Sequence, residues 1–343
     1  MAYTTINKPS EYFNTKLYTG NGSTQSITGV NFQPDWVVCK DRSAISDHLV
    51  FDILRGATNY IKTNSANPQS TISTTLTSFD ADGFSIGSNG GINTNGNNYV
   101  SWNWLGGGTG VSNTNGSIAS TVSANTTSGF SVVTYTGTAS NGTVGHGLGA
   151  KPAMIIAKNL ITNGEDWCVY HKSLGYNNVV KLNSISASLS TTTRWNAEPD
   201  TSVFNVGTVA ETNGSGTSQV AYVFVEKKGY SKFGSYTGNA NTDGTFIYTG
   251  FKPAWFLIKP TGGGQWFLWD NKRNPINQAQ QILSPEANYA EGGGAGSAID
   301  FLSNGIKMRN IDGGINGNGA SYIYMAFAEN SLVGTNGVPA TAR

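Results

Sequence analysis

Apolar residues fall in short runs along the whole chain, separated by clusters of Gly, Asn, Ser and Thr, and no long stretch sustains a 3.6-residue period. Runs of this kind predict strands. In one set of runs the apolar side chains alternate: Val100, Trp102 and Trp104; Val220, Tyr222 and Phe224; Ile323, Met325 and Phe327. A period of two places each trio on one face of a sheet. A second set is apolar at both parities and is bounded by proline and lysine, at Pro34 to Lys40, Pro152 to Lys158 and Pro253 to Lys259. That pattern predicts a central strand covered on both faces, with proline at its first position and lysine marking its exit from the core.

The runs recur in a fixed order, which predicts three copies of one unit. Tyr-Thr-Gly opens each copy at Tyr18, Tyr135 and Tyr236, and the proline box follows. A second box ends in a polar residue after an aromatic one, at Phe51-Asp52, Tyr170-His171 and Trp269-Asp270. The alternating box closes each copy 70, 72 and 74 residues after its proline. Eleven Asn-Gly dipeptides supply tight turns between the runs. The expected fold is therefore all-β: three tandem, jelly-roll-like β-sandwich repeats of about 100 residues.

The corresponding division is an N-terminal segment over 1–15, repeats over 16–107, 128–228 and 229–330, and a C-terminal tail over 331–343. Residues 108–127, rich in Gly, Ser, Thr and Asn, read as a linker, flexible or an extended arm. Residues 279–283 read as one helical turn.

Composition narrows the function classes. Only 12% of the 343 residues are charged, and 21 basic side chains nearly balance 20 acidic ones, which argues against an electrostatic nucleic-acid binder. No apolar run approaches the roughly 20 residues of a membrane helix. The first residues lack the basic and apolar pattern of a secretory signal, so synthesis in the cytoplasm without a signal peptide is expected. Cys39 and Cys168 form no metal or redox pattern and read as buried free thiols.

Candidate chemistry is sparse. Of three histidines, His171 holds the place of Asp52 and Asp270, so no role common to the copies is imidazole chemistry. Asp52 and Asp270 could join Asp80, Asp82 or Asp300 as the paired carboxylates of a polysaccharide-degrading enzyme. The structural alternative has each capping a strand end or pairing with Lys40 or Lys259. Asp80-Ala81-Asp82-Gly83 resembles part of a calcium loop but lacks the further acidic ligand, and a turn explains it. Gly145 to Gly149 and Thr261 to Gly264 lack the helix and lysine of a phosphate cradle. No cofactor or metal is expected. Trp167, Trp195, Trp266 and Trp269 are the candidates for stacking on a sugar, with Trp195 the most exposed. Trp36, Trp102, Trp104 and Trp255 hold matched strand positions and read as core.

Taken together, Tyr18-Thr19-Gly20-Asn21-Gly22, Gln33-Pro34-Asp35-Trp36, Val144 to Gly149 before Lys151-Pro152, and Tyr322 to Glu329 resemble tandem-repeat structural proteins of marine and environmental bacteriophages. The likeness extends to Pro9 to Phe13 and Gly337 to Arg343. It implies a noncatalytic virion surface protein: a tail fibre, an appendage or a capsid-decorating component. The partners it implies are other virion proteins and further copies of the chain, a homo-oligomer such as a trimer. A host-surface glycan is the partner under the alternative, lectin-like reading. The family carries no established catalytic or binding residues to transfer.

Overall fold

The computed structural model describes residues 4–333. The chain is all-β, built of several antiparallel sheets with only short helical turns. Three large sheets share one strand order. In the first, Phe13–Thr19 pairs with Asn98–Trp104, that strand with Trp36–Asp41, and that with Leu49–Asp52. The second follows with Phe130–Thr136, Ser218–Phe224, Met154–Asn159 and Cys168–His171. The third follows with Ser231–Thr237, Ser321–Ser331, Phe251–Pro260 and Phe267–Asp270. A small sheet accompanies each large one, centred on Gly83–Ile86, on Gly142–Gly145 with Val203–Val206, and on Gly305–Met308.

The two parities of each central strand serve two different interiors. Val37 and Cys39 pack with Ile27, Leu76, Phe84 and Ile86 of the adjoining small sheet. Ile155 and Ala157 do the same with Val144, Phe204 and Val206, as do Phe256 and Ile258 with Ile247, Ile306 and Met308. The opposite parity, Trp36 and Val38, Met154 and Ile156, Trp255 and Leu257, enters one cluster common to all three large sheets. All nine alternating side chains of the closing boxes join that cluster. Burial on both faces explains why the proline boxes read as continuous apolar runs.

The opening motif is explained by a buried asparagine that spacing alone did not single out. Asn93, Asn213 and Asn316 end short helical turns and have no exposed surface. The Asn213 amide donates to Thr138, Ser140 and Gly207 and accepts from the Thr138 N–H. Asn93 and Asn316 make the matching sets. Each opening tyrosine donates to the carbonyl just before that asparagine: Tyr18 to Ile92, Tyr135 to Thr212, Tyr236 to Ile315. The glycine two residues on permits the approach, because a Cβ at Gly137 would lie 2.3 Å from the Gly214 carbonyl oxygen. The asparagine stands eleven residues before the last closing aromatic in every segment, a spacing present in the sequence.

Several expectations need correction. Pro34 and Pro152 precede their strands, and Pro253 lies inside one at a β-bulge, where the missing N–H is tolerated. The positions between the alternating trios are buried too, since the closing strand is central in its sheet. Residues 108–127 do not run free: Val111–Asn113 and Ser120–Asn125 extend the second large sheet beyond Phe130–Thr136. Residues 279–283 form no helix; Ala279 and Leu283 make β-bridges to Ile299 and Leu268. The 1–15 segment is already structured at Phe13, and Ile6 reaches the common cluster. The last strand runs to Ser331, and the remaining tail from 334 lies outside the described residues.

Candidate functional site

The polar groups suggested by the sequence converge on the three places where one large sheet meets the next. At the first, Asp52 is fully buried and accepts from the Leu54 and Arg55 N–H groups, the Arg55 guanidinium and, across the junction, the Tyr222 hydroxyl at 2.7 Å. At the third, Asp270 accepts from Lys272 and Arg273 and, across the junction, from the Trp102 indole at 3.0 Å. Tyr222 and Trp102 occupy the same closing-box position. In the second, that position is Met325, which donates nothing, and the carboxylate is correspondingly replaced by His171, with Leu174 in place of the arginine. His171 Nε2 meets the Tyr324 carbonyl at 3.1 Å while Nδ1 accepts from the Ser173 N–H. This pattern calls for the neutral ring protonated on Nε2.

Of the two structural roles expected for Asp52 and Asp270, capping of the strand end is the one seen, and pairing with Lys40 and Lys259 is not: each aspartate accepts the N–H groups two and three residues on and takes the arginine three residues on. The lysines do not mark an exit from the core either. Lys40, Lys158 and Lys259 are wholly buried and donate to backbone carbonyls. Lys158 bridges Glu165 and, from the first segment, Ala66; Lys259 bridges Gly264 and, from the second, Ser184; Lys40 holds Asp41 and Ala44. Burial lowers the pKa of each to about 8.

A backbone strap crosses each junction beside its lysine. Gln69 N–H donates to the Leu160 carbonyl and Gly164 N–H to that of Ala66. Ser188 donates to Thr261 and Gly264 to Ile185; Glu291 donates to Arg42 and Ser46 to Asn288. The three pairs have the same antiparallel form.

The tryptophans proposed for sugar stacking are inside. Trp195 is 2% exposed, in the interior between the second large sheet and its small sheet, and Trp269 is fully buried in the corresponding interior of the third. Trp167 and Trp266 seal junctions, their indoles donating to the Lys62 and Lys181 carbonyls of the preceding segment. Rings held this way present no face to a ligand, and the signal missed was position: Trp167 and Trp266 both immediately precede the second box. His48 holds that place in the first segment. It lies parallel to Trp102, and neither ring nitrogen makes a hydrogen bond of normal geometry, with the Ala287 backbone alongside. A cavity of about 40 Å³ lies there, lined by His48, Trp36, Trp102, Trp104, Trp255 and Pro285 among others.

The remaining candidates have local tasks. Asp82 accepts the Gly29 and Asn31 N–H groups, Asp80 the Ser78 and Ser85 hydroxyls, and Asp300 pairs with Arg309. His146 orders its own glycine-rich turn by accepting from Leu148. Both cysteines are free and buried, and among the described residues no cluster of three metal-ligating side chains occurs. No helix there is long and apolar enough to cross a membrane.

One family model matches residues 8–331 and is described as a domain of unknown function, DUF7483. The chain belongs to that family. The match takes in all three large sheets, so the family is defined over the entire arrangement and not over one sheet. No curated protein matches the chain.

The buried histidine makes a pH prediction. Burial lowers the His171 pKa to about 4. The unfolded chain takes up a proton near pH 6.5 that the folded chain refuses, so this group's contribution to stability is lost as pH falls from 6.5 towards 4. A shift of this size corresponds to about 3 kcal/mol. Glu286 opposes it: burial raises its pKa to about 7, which adds stability as pH falls from 7 to 4.5. Urea unfolding at pH 7 and pH 4.5 reads their sum, together with the contributions of His48 and His146, whose pKa values burial also lowers. His171→Gln should show a smaller acid loss than the unaltered chain, and an equal loss would contradict the assignment.

Proposed function

We propose that the chain is three copies of a jelly-roll-like β-sandwich closed around a common interior, serving as a noncatalytic virion surface component such as a tail fibre, an appendage or a capsid decoration. The observation that carries the noncatalytic part is the use made of the ionisable groups. Asp52, Asp270, His171 and two of the repeated lysines, Lys158 and Lys259, are consumed in holding one segment to the next, while Lys40 holds its own loop. The virion assignment rests on the sequence resemblance, and the low surface charge and two-faced sheets suit a durable exposed body. Other virion proteins and further copies of the chain are the partners under this reading. Purified particles bearing the labelled protein test it by imaging: signal on the particle surface is expected, and absence from particles overturns it.

A lectin-like activity has one observation in its favour, away from the tryptophans. Phe246 and Tyr248 are 44% and 54% exposed on one face of a strand, where the other segments carry Ser26 and Thr28 or Thr143 and Gly145. Flat exposed rings beside polar groups suit a host-surface sugar. Glycan-array binding that disappears in Phe246→Ala/Tyr248→Ala supports this second reading; binding that survives the double substitution removes it.

A further inference from the structure

We propose that the junction between the third and first segments is a latch, the seam at which the closed arrangement opens first. The inference rests on the three-copy reading. Segments one and two are joined through residues 105–127, and two and three through the short stretch after Phe224, whereas no peptide connects three to one. Opening at that junction alone is unopposed by a covalent tether.

The chemistry of the seam differs in the same direction. Its sealing ring is His48, without the indole bond to a neighbouring carbonyl that Trp167 and Trp266 make, and the cavity of about 40 Å³ borders it. The cavity belongs to the common interior, lined also by Ile156 and Leu182 of the second segment, and at the seam it leaves His48 without packing on that side. The seam also carries a charged fastening. Glu291 takes both Arg42 Nε and Nη2, at 3.0 and 2.7 Å, and also Arg273 Nη1 at 2.9 Å. The matching residue of the first strap is Gln69, which takes only Arg55 Nη1 at 3.3 Å. Thr63 adds a bond to the Pro285 carbonyl. The seam thus adds, to the aromatic contacts of Trp104 with Trp255 and Phe327, an ion pair that is 21% exposed at Arg42 and 11% at Glu291, and an ion pair that water still reaches weakens with salt.

Amide hydrogen exchange on the full chain tests the proposal through six corresponding N–H groups. Those of Ser46 and Glu291 should exchange about tenfold faster than those of Gly164, Gln69, Gly264 and Ser188. Glu291→Gln should accelerate only the Ser46 and Glu291 amides, again about tenfold, and His48→Trp should slow them. Should either variant fail to fold, 1 M NaCl on the unaltered chain should reproduce the selective acceleration. Equal rates at all three straps, or acceleration of all three together, overturns the latch while leaving the three-copy reading intact. Three unrelated rates with no common level for the two tryptophan-sealed straps would count against the three-copy reading itself.

Discussion

Asp52→His should destabilise the chain by about 3–5 kcal/mol in urea unfolding at neutral pH, because it leaves the Arg55 guanidinium buried without its counter-charge. Arg55 is only 2% exposed and its remaining partners are neutral: the Val50 and Asn59 carbonyls, Gln69 and Tyr222. Uncharged acceptors do not replace a carboxylate in a dry site. Adding Arg55→Leu should recover most of the loss, since the second segment already uses His171 and Leu174 at these places. The pair is thus one unit with two solutions, charged or apolar. A double variant no more stable than Asp52→His alone would refute that equivalence.

Trp104→Ala should cost a similar amount, about 3–5 kcal/mol, as large aromatic deletions in closed interiors do. The indole is 1% exposed and stands between segments: its centroid is 4.3 Å from Trp36 and 4.8 Å from Phe13, then 5.6 Å from Phe327 and 5.8 Å from Trp255. Since two of those rings belong to the third large sheet, the damage should not stay in the first. Amide exchange should accelerate in strand Ser321–Ser331 together with Asn98–Trp104. A third sheet with unchanged protection would mean that the common cluster does not couple the segments.

How much of this was legible follows from where each signal lies. Strand identity and the all-β class were written in local parity, because burial on one or two faces acts directly on every second residue. The core assignment of Trp36, Trp102, Trp104 and Trp255 was likewise legible from matched positions. What a buried surface packs against is not local. Trp167 and Trp266 looked available because their contacts, Lys62 and Lys181, lie in the preceding segment, some 85 to 105 positions away. The lysines misled because a cation usually means solvent, yet here backbone carbonyls enclose it, drawn from two segments at Lys158 and Lys259 and from its own loop at Lys40. The asparagines were overlooked among many turn asparagines, although their constant distance from the closing aromatic set them apart.

The common interior has a consequence for change over generations. Three separate chains around an axis would have to carry any alteration at every corner at once. With all corners encoded in a single polypeptide, one flank can acquire its own surface, as the exposed Phe246 and Tyr248 illustrate, while the centre continues to satisfy the same geometric demand from all sides.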